Sequence, residues 1–169
     1  MYSKKLDPSN TLIRFDNFPS QPKKTTKKHS ALLGIGGNIG DVVRRFAHLY
    51  NFLVKSPLVG ILETSPILRN PPFGYLEQDD FYNALMAIET DLTPKELLRF
   101  VLRVERHFGR KRSFANAPRT LDIDIIFYDD IRVDTDNLTI PHPQYTKRDS
   151  VMIPLGLMKG RYRWSKRHS

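Results

Sequence analysis

The order of the apolar patterns most restricts the fold of this chain, because strand-type and helix-type periods alternate along it. Residues 30–35 form a short apolar run that ends at two glycines, which predicts a buried strand. Between Asp41 and Pro57, apolar side chains recur at helical spacing. Residues 58–68 are rich in β-forming side chains, and residues 81–89 form another strand candidate. The first half therefore predicts a strand, a helix and two further strands.

The second half contains the clearest helix signal, over residues 93–108. Thr93 can cap this helix, Pro94 suits its first position, Glu96 completes a capping box, and Gly109 ends it. Strands are predicted over residues 121–128 and 138–140, followed by a last helix over residues 150–158 that contains Pro154. The β-α-β-β-α-β order predicts an α+β fold of the ferredoxin-like type, with a mostly antiparallel sheet and both helices on one face.

The net charge of +9 is concentrated at the two ends of the chain. Residues 1–30 carry +5 and residues 159–169 carry +5, whereas residues 31–158 carry only −1. We therefore predict a basic, mobile extension over residues 1–29, a folded domain over residues 30–158 and a basic tail over residues 159–169. Within the extension, Leu12, Ile13, Phe15 and Phe18 could dock locally. A domain that tracks a phosphate backbone more often carries its charge on the folded face, so nucleic acid is not an expected partner.

Composition excludes several classes of protein. With 40% apolar residues the chain can bury a core, and with no cysteine it has no disulfide and no thiolate metal site. No apolar run approaches the roughly 18–20 residues that span a bilayer. Residues 1–30 also lack the apolar stretch of a secretory signal. We expect a cytoplasmic protein without a membrane partner or an obligate protein partner.

Two carboxylates in the strand at residues 121–128 are the strongest sign of chemistry. Side chains alternate along a strand, so Asp122 and Asp124 share one face while Ile123 and Ile125 take the other. Neighbouring carboxylates repel each other, and a divalent cation between them offsets that repulsion. Mg²⁺ accepts carboxylate oxygens together with substrate phosphates, which would make this a nucleotide-phosphate site. The alternative is a half-buried strand with a solvated acidic face.

Basic residues immediately upstream favour the phosphate interpretation. Arg110, Arg112 and Arg119 lie in or beside a loop that leads into the acidic strand. Guanidinium groups bind phosphate oxygens in a bidentate manner and can neutralise charge while a phosphoryl group moves. A solvated loop that pairs with the two acids is the competing explanation.

A proline-rich loop supplies candidate groups for a flat heterocycle. It runs from Asn70 to Asp80 and is followed by Asn83, whose amide could pair with a ring edge. Phe73, Phe81, Tyr82 or Phe114 could stack on such a ring. His142, between two prolines, could contact a phosphate or serve only the structure of its loop. None of the histidines forms a zinc-type motif.

Six motifs in one order resemble those of the 6-hydroxymethyl-7,8-dihydropterin pyrophosphokinases, which are folate-pathway enzymes. They are Gly36-Gly-Asn38, Asn70-Pro-Pro-Phe-Gly74, Gln78-x-Asp-Phe-x-Asn83, Glu105-x-x-x-Gly-Arg110, Pro118-Arg-Thr-Leu-Asp-Ile-Asp124 and Ile140-Pro-His-Pro143. The resemblance covers roughly residues 31–157. It implies transfer of pyrophosphate from ATP to the hydroxymethyl oxygen of the pterin, with release of AMP.

The resemblance also implies a role for particular residues. Asp122 and Asp124 would hold two Mg²⁺ ions that bridge ATP and the hydroxyl group, and Arg110 and Arg119 would steady the phosphates. The implied pterin-binding residues are Asn70, Pro71, Phe73, Phe81 and Asn83. The implied ATP-binding residues are Glu105, Arg112, Arg119, Ile125, Thr139, His142 and Arg148.

Several positions depart from the pattern of the family. Gly37 stands where its members usually place serine, and Asn70 replaces a threonine. The loop between Arg110 and Arg119 lacks a tryptophan that often closes the site; Phe114 could substitute for it, or Asn116 could leave that wall open. Asn137 and Ser150 stand where some members carry an arginine and an aromatic residue. The main alternative function is a non-catalytic, ferredoxin-like nucleic-acid-binding module with basic arms, although the chain has no strands with the aromatic pattern of such modules.

Overall fold

The computed structural model describes residues 1–22, 27–72, 74–111 and 114–160, together with Tyr162 and Trp164. The strands are β1 (Tyr2–Lys5), β2 (Thr11–Arg14), β3 (His29–Gly37), β4 (Val59–Thr64), β5 (Ile67–Asn70), β6 (Phe81–Thr90), β7 (Asp122–Tyr128), β8 (Val133–Thr135) and β9 (Leu138–Ile140). The helices are α1 (Val42–Val54), α2 (Pro94–His107) and α3 (Asp149–Gly156), with a 3₁₀-helix over Tyr145–Lys147. The fold is therefore α+β, as predicted.

Seven strands form one antiparallel sheet, and β8 and β9 form a separate hairpin. In the sheet, β3 lies between β6 and β7, and the far edge of β6 is shared by two strands. The Phe81–Asn83 half of β6 pairs with β5, and the Met86–Thr90 half pairs with β4. Ser65 and Pro66 separate those two strands. Because β3 is antiparallel to both neighbours, its C-terminal end meets the N-terminal ends of β6 and β7.

Local capping signals start both long helices where the sequence predicts them. The Thr93 side chain accepts a hydrogen bond from the Glu96 N–H, and the Glu96 carboxylate accepts one from the Thr93 N–H. The Asp41 carboxylate caps α1 in the simpler way, through the Arg44 N–H. Each cap satisfies backbone donors that have no partner inside the helix.

Both faces of the central part of the sheet are buried, whereas the residues of β1 at its edge are exposed. Side chains of α1 and α2 pack in one cluster with Leu33 and Ile35 of β3. Leu32, one position away, belongs to a second cluster with Val151 of α3 and with Trp164. Successive strand residues point to opposite faces, so α3 and the C-terminal segment cover the face that α1 and α2 leave open. No helix among the described residues is long and apolar enough to cross a membrane.

The N-terminal segment differs from the mobile extension that its composition predicts. β1 pairs with β2, and β2 pairs with β5 of the sheet. Leu12 and Ile13 are buried, and Phe18 packs between the rings of Phe46 and Tyr50. The physical reason is that a four-residue strand with few apolar side chains is stable once a longer sheet supplies its partner. Residues 23–26 lie outside the described residues.

The C-terminal segment also docks where it is described. The buried carboxylate of Glu63 accepts hydrogen bonds from the N–H groups of Lys159 and Gly160 and from the Tyr162 hydroxyl. Trp164 is 1% exposed and stacks on Tyr162 and Phe127. These contacts attach residues 159, 160, 162 and 164 to the domain, which corrects the prediction of a separate tail for that part of the chain.

Candidate active site

The candidate site lies at the end of the sheet where β3 stops and β6 and β7 begin. Gly36 of β3 is paired with Asn83 on one side and with Asp122 on the other. Two strand spacings of about 4.8 Å separate the backbones of Asn83 and Asp122, so both side chains can serve one small ligand. The sheet thereby brings the predicted heterocycle-binding residue and the predicted metal-binding pair to one edge.

Two adjoining cavities meet at Asp122, Asp124 and His142. The first cavity is also lined by Asn70, Pro71, Phe81, Asn83, Asn116 and Arg119, and by Arg148 and Ser150. The second cavity is also lined by Glu105, Ile125, Asp136, Asn137 and Thr139. The residues predicted for pterin therefore line the first cavity, and most residues predicted for ATP line the second. Phe73 and Arg112, which were also predicted, lie outside the described residues.

The two aspartates stand in unlike electrostatic surroundings. One Asp122 oxygen accepts a hydrogen bond from Arg110 at 3.2 Å, and the other accepts one from Arg119 at 3.3 Å. Burial raises the pKa of Asp124 to about 7; the charge of Asp122 adds to this rise, and Arg148 opposes it. A carboxylate that is buried beside another carboxylate is stabilised by any bound cation.

The donor set fits Mg²⁺. Asp122 and Asp124 offer only carboxylate oxygens, and the described residues contain no cluster of three or more Asp, Glu, His or Cys side chains around a common point. Mg²⁺ is bound in proteins by one or two carboxylates, and water and substrate phosphates complete its octahedron. A pair of carboxylates at the meeting point of two cavities suits that mode of binding.

Glu105 acts from behind the acidic strand. Its carboxylate is 2% exposed and accepts a hydrogen bond from the Ile123 N–H at 2.7 Å. The next residue of that strand on either side is one of the two aspartates. Glu105 thus fixes the backbone between Asp122 and Asp124, in addition to lining the second cavity.

His142 is held as a neutral donor. Its Nδ1 accepts a hydrogen bond from the Gln144 N–H at 3.2 Å, and its backbone N–H donates to the Ile126 carbonyl at 2.9 Å. Burial and the nearby charge of Arg148 lower the pKa of His142 below its ordinary value. A neutral ring whose Nδ1 accepts carries its proton on Nε2, where it can be donated to an anionic ligand.

The loop that contains Arg119 lies against the loop that contains Pro71 and Pro72. The Arg119 guanidinium lies 5.2 Å from the centre of the Phe81 ring, and the ring of Tyr75 contacts that of Phe114 edge-on at 5.3 Å. Phe114, considered a substitute for the missing tryptophan, is 56% exposed and is not among the residues that line the cavities. Asn116 lines the first cavity instead.

Asn38, Gln78 and Asn116 connect the loops of the site, although the sequence alone gave no role to the first two. The Asn38 amide donates to Gln78 and to the Asp79 carbonyl, at 2.8 and 3.0 Å. The Gln78 amide donates in turn to the Asn116 carbonyl at 2.9 Å. The only sequence signal for Asn38 and Gln78 is that each belongs to one of the motifs shared with the family.

The chain is similar to known proteins of one family. Residues 32–159 match the family model described as 7,8-dihydro-6-hydroxymethylpterin-pyrophosphokinase. The chain is 39% identical over 145 residues to the 2-amino-4-hydroxy-6-hydroxymethyldihydropteridine pyrophosphokinase of Helicobacter pylori, an alignment that covers 84% of this chain and 89% of the relative. It is 42% identical over 146 residues to the protein of the same name from Campylobacter jejuni, covering 86% of this chain and 92% of the relative.

A third relative shows the same domain inside a longer protein. A folic acid synthesis protein of Dictyostelium discoideum is 41% identical over 123 residues, which are 73% of this chain and 18% of that protein. The match to the family model covers most of the chain and includes every described residue of the two cavities. The chain therefore belongs to the 7,8-dihydro-6-hydroxymethylpterin-pyrophosphokinase family.

Proposed function

We propose that this chain transfers the pyrophosphoryl group of ATP to the hydroxymethyl oxygen of 6-hydroxymethyl-7,8-dihydropterin, a reaction of folate biosynthesis. The hydroxyl oxygen attacks the β-phosphorus, the bond from that phosphorus to the α-phosphate oxygen breaks, AMP leaves, and the hydroxyl proton is released. The observation that carries this proposal is the position of Asp122 and Asp124, which lie where the two cavities meet. Family membership supports the same reaction.

Asp122 and Asp124 would hold two Mg²⁺ ions. These ions would neutralise charge on the triphosphate and favour ionisation of the attacking hydroxyl group. The raised pKa of Asp124 supports cation binding, since the carboxylate is destabilised by burial and by Asp122 until positive charge arrives. Glu105 would fix the relative positions of the two carboxylates through the hydrogen bond that it accepts from the Ile123 N–H.

Arg110 and Arg119 would act as phosphate clamps. Both guanidinium groups are held by Asp122, and their side chains are mostly buried, with 11% and 17% of their surface exposed, so each would meet a triphosphate from a fixed position. Phosphoryl transfer depends mainly on positioning and charge neutralisation, and a strong general base contributes little. The role of Arg110 and Arg119 would therefore be to orient the β-phosphorus toward the attacking oxygen.

The first cavity would bind the pterin and the second would bind the nucleotide. Asn83 and the backbone of Asn70 and Pro71 would pair with the edge of the pterin ring, and Phe81 would stack on its face. On the nucleotide side, Ile125 and Thr139 would line the pocket. His142, which lines both cavities, would donate from Nε2 to a phosphate. Arg148 lines the first cavity, and its charge near Asp124 and His142 would act on the phosphates where the two cavities meet. Phe73 and Arg112 would join these two sets by their motif positions.

The inner part of the sheet supports a ferredoxin-like arrangement for the catalytic domain, which we place at residues 30–158. Strands β7, β3, β6 and β4 are neighbours in that order, and α1 and α2 follow β3 and β6 in the chain. The nucleic-acid-binding alternative gains no support from the site, because the carboxylates of Asp122 and Asp124 repel a phosphate backbone.

Product analysis tests this function. The chain would be incubated with ATP, Mg²⁺ and the pterin, beside an Asp122→Asn/Asp124→Asn double variant and a control Asp134→Asn variant, since Asp134 is exposed outside both cavities. We expect pterin-dependent AMP from the chain and the control, and none from the double variant. ADP as the product would reject pyrophosphoryl transfer in favour of single phosphoryl transfer.

A further inference from the structure

The N-terminal hairpin of β1 and β2 contacts two elements that border the candidate site, β5 and the start of α3. It precedes the residues matched by the family model, which begin at residue 32. β2 pairs with β5, with Leu12 opposite Leu68 and Ile13 opposite Ile67. β5 therefore has a strand on each edge, and it leads directly into Asn70 and Pro71 of the first cavity.

Asn10, in the turn between β1 and β2, is 2% exposed and holds that turn rigid. The backbone carbonyl of Asn10 accepts a hydrogen bond from the Leu6 N–H at 2.8 Å. Its own N–H and one hydrogen of its side-chain amide donate to the two oxygens of Asp7, each at 2.9 Å. Because these bonds lie within the turn, the side chain of Asn10 has a fixed orientation.

The second amide hydrogen of Asn10 reaches α3. It donates to an Asp149 carboxylate oxygen at 3.2 Å, across 139 residues of sequence. Asp149 is the first residue of α3 and lies between Arg148 and Ser150, which both line the first cavity. This bond links the hairpin to the helix turn from which the Arg148 side chain extends.

Helix α3 needs such a link because its own sequence holds its N-terminus weakly. It has eight residues, it contains Pro154, and its N-cap residue Arg148 makes no capping hydrogen bond with its side chain. Short helices without a cap fray at their ends, since their first N–H groups lack partners. An Arg148 side chain on a frayed turn would sample many positions.

We propose that Asn10 is a positioning residue for ATP binding, which acts through Asp149 to fix the turn that carries Arg148. This inference rests on the proposed function, in which Arg148 serves the nucleotide. The hairpin thus supports the place where the two cavities meet, since Arg148 lies near Asp124 and His142. Loss of the Asn10–Asp149 bond weakens ATP binding more than it weakens pterin binding.

The experiment is a double-mutant cycle on Asn10 and Arg148, with KM for ATP, KM for the pterin and kcat measured for AMP formation. We expect Asn10→Ala to raise KM for ATP about fivefold, the factor that corresponds to a hydrogen bond of ordinary strength. In an Arg148→Ala background the same substitution should change KM for ATP by less than about twofold, because the two residues act in series. An equal increase in both backgrounds, or no increase in either, would overturn the proposal.

A second pair of variants tests the bond at Asp149. Because Asp149 is exposed, its substitution is less liable to prevent folding. Asp149→Ala and Asp149→Asn both remove the charge, but only the asparagine side chain keeps an oxygen that can accept from Asn10. We expect the alanine variant to raise KM for ATP and the asparagine variant to stay close to the unaltered chain. Identical values for the two variants would contradict a role for the hydrogen bond.

Different experimental results would reject the proposed function and this inference. Pterin-dependent AMP from the unaltered chain establishes the reaction, whatever Asn10 does. Isothermal titration calorimetry of each variant with a non-hydrolysable ATP analogue measures the affinity for the nucleotide separately from the chemical step. A loss of melting temperature with unchanged affinity for the analogue would make Asn10 a purely structural residue and would reject the proposal.

Discussion

The side-chain oxygen of Asn38 accepts a hydrogen bond from the backbone N–H of Arg119 at 3.0 Å, although 81 residues separate them in sequence. The Arg119 carbonyl accepts in return from the Asn38 N–H, also at 3.0 Å. The amide of Asn38 donates to Gln78 and Asp79 in the proline-rich loop. One buried side chain therefore joins the first turn of the domain to both loops that border the first cavity.

We expect Asn38→Ala to impair catalysis more than its cost in stability explains. Loss of these bonds leaves buried polar groups without partners, at a cost of roughly 1–3 kcal/mol in the free energy of unfolding. Small displacements of catalytic groups can lower rates about 100-fold, so kcat/KM for AMP formation should fall by at least about tenfold. Steady-state kinetics and urea denaturation check this. Ile39→Ala, at a 42% exposed position in the same turn, is the control and should change neither value appreciably.

Asp124→Asn should stabilise the metal-free chain while it abolishes activity. Burial and the Asp122 carboxylate both penalise a charged Asp124, and asparagine removes that penalty at nearly constant volume. We expect a gain on the order of 1 kcal/mol in the free energy of unfolding at pH 8 in EDTA. AMP formation with Mg²⁺ should be lost. A destabilised Asp124→Asn variant would show that the carboxylate is not strained in the metal-free chain.

The same penalty predicts how the stability of the metal-free chain depends on pH. The pKa of Asp124 is raised in the folded chain from 3.8 to about 7, so the folded state holds a proton that the unfolded state releases between those values. The contribution of Asp124 is fully present below pH 3.8 and is lost as the pH rises through about 7. The stability difference between Asp124→Asn and the unaltered chain should therefore grow from pH 4 to pH 7, as chemical denaturation in EDTA can measure. A difference that does not change with pH would contradict a raised pKa.

Glu63→Gln should release the C-terminal segment before the domain unfolds. The two Glu63 oxygens accept from the N–H groups of Lys159 and Gly160, at 2.6 and 2.8 Å, and glutamine has only one acceptor oxygen. The loss should cost roughly 1–3 kcal/mol. The chain has a single tryptophan, the buried Trp164, so its fluorescence reports on this segment. We expect its emission to shift to the red at lower urea concentration than the loss of helical circular dichroism, whereas Glu77→Gln, at an exposed position, should leave the two transitions as they are in the unaltered chain.

Short sequence patterns predicted the features that depend only on neighbouring residues, such as helix starts and strand faces. The capping box of Thr93 and Glu96 fixes the start of α2 within one turn of chain. The placement of Asp122 and Asp124 on one face follows from the period of a strand, and both residues line the two cavities. Helix ends and strand faces depend on neighbours only a few residues away.

Long-range pairing explains what the sequence did not predict. The strand β2 is stable beside β5, and its apolar pattern over four residues is too short to identify it alone. The role of Asn38 depends on partners 40 and 81 residues away, which no local pattern contains. The polar composition of the N-terminus suggested mobility because it indicates only low average hydrophobicity, whereas Phe18 reaches the core as a single side chain.

Gly36→Ala should weaken pterin binding selectively, because Gly36 lies against the amide of Asn83. A Cβ atom at Gly36 would stand 2.5 Å from the Asn83 side-chain oxygen, closer than van der Waals contact permits, so the amide has to move. A site built to hydrogen-bond a ring loses affinity when its polar groups are misplaced. We expect KM for the pterin to rise by about tenfold or more and KM for ATP to change by less than about twofold. Gly156→Ala is the matched control, since a Cβ there meets no atom within 4 Å. Equal increases in both KM values for Gly36→Ala would mean that the substitution distorts the whole sheet edge, and an unchanged pterin KM would exclude Asn83 from the binding site.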